Sequence, residues 1–425
     1  MEKKSIWKRD FVLVVLGQII SIFGNTVLRF ALPLYLLSET GSAALFGVVT
    51  AIAFIPMIIL SPIGGILTDR INKRNIMVVL DFATSLLVVG FIVLKGRMDA
   101  VSLITLTMVI LYGIQGAYSP AVQASVPMLL DGEILMQGNA VINLVNSFSS
   151  LIGPVVGGAL YSLFGITPIL FVSVFCFFAS ATMEIFIHIP YEKKKAEGSM
   201  FKIAYEDLKE SFHYMIKEEP TIIRVCIVFS AINMILSALC IIGIPVIVTQ
   251  KLGFDAEVAS RLYGYAEGAF AVGSLIGGAL AGVLAPKLKA KMAPVIIFVD
   301  ALTLIPIGIA LLVSMKAMTS YIIVLVSCAA MMSLATMFSV QMMSCLQMII
   351  PKELLGKIIA GAMCISMCAT PIGQAIYGIL FEILSNHLYI IFFGATILTC
   401  VIAFLSKGSF KKVDQIVENR RTTLN

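Results

Sequence analysis

The sequence predicts an all-α membrane protein of twelve transmembrane helices, arranged as two six-helix bundles with both termini in the cytoplasm. Of its 425 residues, 59% are hydrophobic and only 13% are charged, whereas a soluble chain is about one quarter charged. The apolar residues form long runs, and about 20 apolar residues suffice for a helix to cross a bilayer. Basic residues collect in alternate loops, and a charged central loop divides the runs into six and six.

The twelve apolar runs, taken in order, are the predicted spans. They are 10–37, 42–68, 75–95, 100–120, 136–163, 166–189, 220–249, 258–284, 292–314, 318–348, 357–383 and 387–406. The longest interruption is charged and contains an amphipathic stretch. The predicted domains are an N-terminal bundle, a cytoplasmic central loop, a C-terminal bundle and a cytoplasmic tail, at 1–190, 191–219, 220–406 and 407–425.

Lysine and arginine determine the predicted orientation. Most of the 30 basic residues lie in the two terminal segments, in the central loop and in the loops that follow even-numbered spans. Because basic loops stay in the cytoplasm, both termini are predicted to be cytoplasmic. The net charge of +6 is therefore a topology signal, and no nucleic-acid partner is expected. The eight cysteines all fall in apolar spans, which predicts small hydrophobic fillers and no metal site.

The two halves carry matching segments at equivalent places. Ser61-Pro-Ile-Gly-Gly at the end of span 2 matches Ser274-Leu-Ile-Gly-Gly at the end of span 8. Asp81 early in span 3 matches Asp300 early in span 9, each with a threonine three residues later. Such a duplication is typical of secondary transporters, in which two bundles rock about a site near the midplane.

The loop after span 2 carries a charged motif, Gly65-Ile-Leu-Thr-Asp69-Arg70-Ile-Asn-Lys73-Arg74. It resembles motif A of the major facilitator superfamily, G-x-L-a-D-R-x-G-R-K, with an asparagine in place of the second glycine. The resemblance implies a cytoplasmic gate, in which the aspartate accepts hydrogen bonds and latches the bundles in one access state. A solvated loop charge with a role in topology is the alternative.

Span 5 carries a second motif, Gly153-Pro154-Val-Val-Gly157-Gly158. It is similar to motif C of the drug-exporting branches, and the pattern over the whole chain resembles the macrolide-efflux type of drug:proton antiporter. The resemblance implies a helix seam that slides or seals, with ordinary small-residue packing as the alternative. Span 4 has no basic residue, although such antiporters commonly carry an arginine there, so the usual arrangement for proton coupling is in question.

Four charged residues inside the spans are candidates for proton coupling. Glu267 is the first candidate, because it lies roughly 14 Å into span 8 at 1.5 Å per residue, and a carboxyl withdrawn from water can stay protonated. A fixed partner for a polar group is the alternative. Arg29, in the outer half of span 1, is expected to face a cavity, to pair with Glu267 or to snorkel outward. Asp81 and Asp300 are predicted to have structural or coupling roles.

Uncharged polar residues on apolar helices predict a substrate cavity, although such residues also serve as glue between helices. The cavity candidates are Gln18, Asn25, Asn143, Asn146, Asn233, Gln341 and Gln374. Glu184 and His188, one turn apart at the inner end of span 6, are expected to form an interfacial pair.

These features predict a transporter, with no catalytic residues and no metal ligands. The chain has no G-x-x-x-x-G-K-[ST] loop, so ATP hydrolysis is not expected, and the proton gradient is the expected energy source, without a cofactor. The first hypothesis is proton-coupled efflux of amphipathic small molecules by alternating access. The alternatives are an uptake symporter, a lipid or lysolipid flippase, and a non-transporting sensor or scaffold. The expected partners are a small-molecule substrate, protons and the lipid bilayer. The expected location is a bacterial inner membrane, and the protein is expected to be a monomer.

Overall fold

The computed structural model describes residues 7–130, 133–189, 206, 209–285, 287–313, 315–351 and 354–424. The side chains of 66, 69, 133 and 421–424 also lie outside this description. Within the described residues the chain is almost entirely helical, and its only β contact is an isolated bridge between Lys95 and Met98. The first part of the predicted amphipathic stretch in the central loop, 201–205, and residues 207 and 208 lie outside the described residues, and 209–218 is helical.

Twelve helices of the described chain are long and apolar enough to cross a membrane. They are α1 (Arg9–Thr40), α2 (Ala43–Arg70), α3 (Lys73–Leu94), α4 (Ala100–Leu129), α5 (Glu133–Phe164), α6 (Ile166–Ile185), α7 (Pro220–Lys251), α8 (Ala256–Leu284), α9 (Ala290–Leu312), α10 (Ala317–Ile349), α11 (Leu355–Ile383) and α12 (Tyr389–Leu424). Each corresponds to one predicted span. The all-α class is confirmed, and the cytoplasmic position of the termini stays a prediction.

Two helices extend well past their predicted ends. Helix α4 continues to Leu129 with Pro120 inside it, because neighbouring helices can satisfy the backbone groups that a proline frees within a membrane helix. Helix α12 continues past 406 to Leu424. Its extension buries Phe410, Val413 and Val417, whose spacing of three and four residues places them on one helix face. The predicted tail is therefore a packed helix over its described length.

Helices α7 and α9 depart from regular α geometry. Helix α7 contains π-helical turns at Asn233–Ser237 and Ile247–Lys251, a local widening that is frequent at functional sites. Helix α9 is interrupted at Thr303, where the hydroxyl donates to the backbone carbonyl of Asp300 at 2.6 Å. Such side-chain bonds compete with the helical ladder and bend it.

The chain divides into two compact units. Unit 1 comprises Met1–Gly41, Ile52–Ala204 and Asp255–Gly268; unit 2 comprises Ser42–Ala51, Tyr205–Phe254 and Ala269–Asn425. Unit 2 thus includes the first turns of α2, and unit 1 includes the first half of α8. Each unit thus includes a helix segment from the other half of the sequence. The domain boundaries predicted at 190 and 220 do not include this exchange of segments, because it depends on which helices pack together.

The repeated segments at the ends of α2 and α8 pack in the same way. A Cβ added to Gly64 would lie 2.8 Å from the Cα of Ala117 on α4, whereas one added to Gly65 would meet nothing within 4 Å. Gly277 likewise packs against the backbone of Ser333 on α10, and Gly278 faces open space. Of this glycine pair, Gly64 is therefore the residue that allows α2 to approach a neighbouring helix closely.

The neighbouring glycines of α8 provide a matched pair for a stability test. We expect Gly277→Ala to lower the thermal unfolding midpoint of the purified protein by several degrees, because its Cβ would press on backbone atoms and overpacking costs about 1–3 kcal/mol. Gly278→Ala should leave the midpoint unchanged or raise it slightly, since alanine favours helix. Equal midpoints for the two variants would contradict the α8–α10 contact.

Candidate functional site

A cluster of buried polar side chains lies within unit 1, where α1, α3, α4 and α6 meet. We call it the acid cluster; its members are Gln18 and Ser21 on α1, Asp81 on α3, Tyr118 on α4 and Glu184 on α6. All five are buried, and Asp81 and Glu184 are 2% and 0% exposed. Ionisable side chains inside a membrane protein are costly to bury and commonly mark functional sites.

Tyr118 connects the acid cluster. Its hydroxyl donates to Oε1 of Glu184 at 2.9 Å and accepts from Nε2 of Gln18 at 2.6 Å. Ser21 donates to Oδ1 of Asp81 at 3.0 Å. The second oxygens, Oδ2 of Asp81 and Oε2 of Glu184, are buried without a hydrogen-bond partner among the described residues. No described lysine, arginine or histidine forms an ion pair with either acid.

Small residues allow α1 and α6 to approach closely and thereby position Glu184. A Cβ added to Gly24 would lie 2.8 Å from the Cβ of Cys176, and one added to Gly17 would lie 3.4 Å from Oγ of Ser180. Ser180 also donates to the carbonyl of Gly17 at 3.0 Å. This tight packing brings the last turn of α6 against Tyr118.

A polar cavity of about 90 Å³ adjoins the acid cluster. Gln18, Ser21, Asp81 and Tyr118 line it, and so does Asn25, whose amide donates to the side chain of Gln115. A polar cavity of this size holds a few water molecules. Three predicted cavity residues therefore meet here, since the lining also includes Asn146. Its remaining polar lining residues are Thr84, Gln115, Ser119 and Gln123.

The predicted pair of Glu184 and His188 is wrong. Glu184 is fully buried and bonds Tyr118, whereas His188 is exposed and its backbone N–H donates to Oδ1 of Asp10 at 3.0 Å. The sequence contains a signal that could have identified Glu184. Ser173, Ser180 and Glu184 recur at seven and four residues on one face of α6, which marks a polar stripe in an apolar helix.

Glu267 and Arg29 have separate partners within unit 1. Glu267 on α8 is partly buried and interacts with Tyr263, one turn earlier, whose ring stacks on Phe30 with centroids 4.7 Å apart. The guanidinium carbon of Arg29 lies 3.9 Å from the ring centroid of Tyr112. The two charges form no ion pair in the described structure. Arg29 has a cation–π partner instead, an interaction of about 0.5–2 kcal/mol.

The motif after α2 joins two helix ends. The buried ammonium of Lys73 donates to the carbonyl of Thr68 at 2.9 Å, which places a cation at the C-terminal end of α2, where the helix dipole favours it. Asn72 caps α3, because its side chain accepts the backbone N–H of Arg74 at 3.0 Å. The residue that departs from the motif therefore has a local function.

The rest of the motif bears on the predicted gate. Arg74 reaches the carbonyl of Ile185 at the end of α6, 3.4 Å away, so the loop is tied to a second helix of unit 1. The side chain of Asp69 lies outside the described residues. The latch predicted for Asp69 and Arg70 stays a prediction.

The glycines of α5 form a close seam with two helices of unit 1. A Cβ at Gly153 would lie 2.6 Å from Cγ2 of Thr26 on α1, and one at Gly157 would lie 3.1 Å from the ring of Phe30. A Cβ at Gly158 would lie 2.8 Å from the carbonyl oxygen of Ser260 on α8. The seam is therefore present as packing, and its sliding or sealing stays a prediction.

The contact between α5 and α8 has a counterpart in unit 2. A Cβ at Gly264 on α8 would lie 2.6 Å from the carbonyl oxygen of Pro154, and one at Gly158 would lie 3.0 Å from the Cα of Gly264. In unit 2, a Cβ at Gly47 on α2 would lie 2.7 Å from the Cα of Gly378 on α11. Each of these two contacts is therefore a glycine-to-glycine helix crossing, in which backbones touch directly.

The other predicted cavity and coupling residues do not gather at one place. Asn143 is exposed on α5 and does not line the cavity. In unit 2, Asn233 donates to the carbonyl of Ser366 at 3.1 Å, and Gln341 donates to the carbonyl of Lys289 at 2.7 Å. Both of these amides therefore connect backbone segments. The remaining two predicted residues, Gln374 and Asp300, are also buried in unit 2, and each has a side-chain oxygen without a partner within the described chain.

Unit 2 contains an apolar pocket of about 120 Å³ near Asn233. Phe229 and Val225 contribute to it, together with thioether side chains from α10 and α11. These are Met342, Met343, Met363 and Met367. Flexible methionine side chains can adapt to apolar molecules of different shapes.

Comparison with protein families gives a match over most of the chain. The family model of the Major Facilitator Superfamily matches residues 14–360. Macrolide efflux protein A of Streptococcus pyogenes is 24% identical over 407 residues, which cover 94% of this chain and 96% of that protein. The Staphyloferrin B transporter of Staphylococcus aureus is 28% identical over 203 residues, covering 45% and 47% of the two chains.

Solved structures share the fold at low identity. A nucleoside transporter superposes with a TM-score of 0.74 at 12% identity, covering 94% of this chain and 98% of that one. A bacterial homologue of the iron transporter ferroportin gives a TM-score of 0.73 at 16% identity, covering 96% and 98%. At these identities the likeness shows the fold alone.

Proposed function

The chain belongs to the Major Facilitator Superfamily, and on that premise we propose that it exports amphipathic small molecules of the macrolide or drug type, driven by the proton gradient. Its twelve apolar helices and bacterial relatives make it a multi-pass protein of the bacterial plasma membrane. The observation that carries the proposal is a set of intramembrane carboxyls, Asp81, Glu184 and Glu267, that form no ion pair in the described structure. Such carboxyls can take up and release protons as their access to water changes.

The substrate class is supported by two independent features. Macrolide efflux protein A aligns over nearly the whole length of both chains, so the similarity covers both units. The methionine-lined pocket of unit 2 offers flexible apolar contact, and the polar cavity of unit 1 is lined by Asp81. Each surface by itself fits one part of an amphipathic molecule: the pocket of unit 2 fits an apolar body, and the cavity of unit 1 fits a polar or cationic group.

Alternating access is proposed to use the glycine crossings. Direct backbone contact between α5 and α8, and between α2 and α11, leaves no side chains to interlock at these points. Helices that meet through glycine can approach and part with little repacking. The polar cavity of unit 1 would then be opened and closed to water during the cycle.

Efflux of ethidium from bacterial cells that overproduce the protein tests this function. Cells are loaded with the dye and energised, and dye loss is followed by fluorescence with and without a protonophore. We expect faster loss than from cells with empty vector, and no such acceleration once the protonophore collapses the gradient. Dye loss at the vector rate would contradict polyspecific export, and acceleration that survives the protonophore would contradict proton coupling.

Uptake by symport and lipid or lysolipid flipping remain the alternatives on the same fold. A symporter would raise the accumulation of its substrate, and a flippase would change the exposure of labelled lipid between leaflets. Neither result is expected if the protein moves ethidium out of the cell.

A further inference from the structure

We propose that the acid cluster is a proton-exchange site in its own right, in which Asp81 and Glu184, bridged by Tyr118, release and rebind one proton through the adjoining cavity. This site lies in unit 1 and shares no residue with Glu267 and Tyr263. The proposal rests on the proposed function only where it assumes that the exchanged proton drives export, because proton binding itself requires no transport.

The geometry leaves one oxygen of each acid available for a proton. Oδ1 of Asp81 and Oε1 of Glu184 each accept a hydrogen bond, from Ser21 and Tyr118. Oδ2 and Oε2 are buried and have no partner among the described residues. A buried carboxylate oxygen without a donor is costly. Asp81 lines the cavity, so a protonated Oδ2 can donate to cavity water, whereas Glu184 does not line the cavity and is connected to it through Tyr118.

No cation among the described residues compensates the two acids. The helices that surround the cavity, α1, α3, α4, α5 and α6, carry few ionisable side chains within their described lengths. Those outside the cluster are Arg9, Asp10, Arg29, Tyr35, Glu39, Lys73, Arg74, Tyr112, Tyr161 and Cys176. None of these lines the cavity or bonds either acid, and Arg29 and Lys73 are engaged elsewhere. The negative charge of the cluster is therefore governed by its own protons.

The exchange involves one proton. With both carboxyls protonated the cluster is neutral; release of one proton to cavity water leaves a net charge of −1, with the carboxylate held by Ser21 or Tyr118. Release of the second would place two negative charges on acids that interact directly through Tyr118 in a poorly solvated site, which is strongly unfavourable. The remaining proton therefore stays within the pair.

Tyr118 acts as a positioning residue. Its one O–H donates a hydrogen bond to Glu184, and its oxygen accepts one from Gln18. It can therefore stabilise only one carboxylate at a time. Its hydroxyl also lies close enough to Asp81 to interact with it. If this hydroxyl turned from Glu184 to Asp81, it would stabilise the carboxylate of Asp81, and the one carboxyl proton left in the pair would then reside on Glu184.

The cavity gives the proton a path. Gln123 and Asn146 line it and are exposed, so the cavity extends from buried Asp81 to the accessible surface of unit 1. Water in such a cavity can carry a proton between the cluster and that surface.

Infrared difference spectroscopy of the purified full-length protein in lipid vesicles tests the site directly. Spectra are recorded in acidic and in alkaline buffer, and the carbonyl stretching band of protonated carboxyl groups is followed. We expect the wild type to lose one cluster carboxyl equivalent of this band on alkalinisation, and the Asp81→Asn/Glu184→Gln double variant to lack that loss. Tyr118→Phe should shift the frequency and the pH midpoint of the band without removing it.

Two matched variants separate this band from other acids. Glu267→Gln should remove a different component and leave the cluster component intact. Asp99→Asn should change nothing, since the exposed Asp99 carboxylate accepts from the backbone N–H and the hydroxyl of Ser102, which lower its pKa. If the double variant does not fold, Ser21→Ala, which keeps both acids and removes one donor, should shift the cluster component.

An unchanged pH-dependent band in the double variant, or in Ser21→Ala, would overturn the site. This outcome is distinguishable from failure of the proposed function, which appears as wild-type cells that lose no dye or ignore the protonophore. The two experiments are independent, because the infrared band is measured on purified protein without any substrate.

Discussion

Glu267→Gln is expected to reduce the export of ethidium to the rate of cells with empty vector, while the protein remains folded in the membrane. The carboxyl of Glu267 is partly buried and interacts with Tyr263, one turn earlier on α8. Glutamine has nearly the same shape and keeps an oxygen that can accept from Tyr263, but it cannot release a proton. The variant should therefore lose the link between the proton gradient and substrate movement. Dye efflux with and without a protonophore measures this loss.

Glu257→Gln provides the matched control, because Glu257 is an exposed acid in the first turn of the same helix. It should export at the wild-type rate and stay sensitive to the protonophore. Protonophore-sensitive export by Glu267→Gln would show that the coupling proton is carried elsewhere. The acid cluster and Asp300 would then be the remaining carriers within the described chain.

Gly158→Leu is expected to abolish export and to lower thermal stability. Even a Cβ at this position would lie 2.8 Å from the carbonyl oxygen of Ser260 and 3.0 Å from the Cα of Gly264. These are backbone atoms, which cannot rotate away as a side chain can, so α5 and α8 would have to separate. Overpacking of this kind typically costs about 1–3 kcal/mol and occasionally more. The thermal unfolding midpoint and dye efflux measure the two effects.

Gly90→Leu is the control for the added side chain, since a Cβ at Gly90 on α3 meets nothing within 4 Å. It should unfold and export like the wild type. Gly378→Leu, at the equivalent crossing in unit 2, should behave like Gly158→Leu. Wild-type export and stability in Gly158→Leu would mean that α5 and α8 are not in backbone contact in the working protein.

The helices could be predicted from hydropathy because a span must be apolar over its full length. The helix ends could not be, since they depend on partners. Pro120 marks the predicted end of span 4, yet α4 continues for nine residues to Leu129, because backbone groups freed by a proline can find partners in a helix bundle. The extension of α12 is charged enough to predict a tail, but buried Phe410 and Val413 hold it as a helix.

The site could be predicted in part. Gln18, Asn25 and Asp81 stand out as polar residues within apolar runs, and the structure brings them to one cavity. Glu184 is the penultimate residue of α6, at a helix end where acids are commonly exposed, so its burial depends on the close packing of α1 against α6. The sequence repeat likewise shows that a Gly-Gly pair matters without showing which glycine packs. The rotation of α2 about its axis decides the matter: it turns Gly64 towards a neighbouring helix and leaves Gly65 without a contact.

The exchange of half-helices between the units has a consequence for biosynthesis. The segment Asp255–Gly268 belongs to unit 1, but the ribosome makes it only after the rest of that unit has entered the bilayer. Until then, the face of α5 around Gly158 has no helix to cover it. The nascent first half must therefore wait in the membrane with a helix-sized gap, exposed to wrong partners of the kind that trap multi-unit proteins during folding.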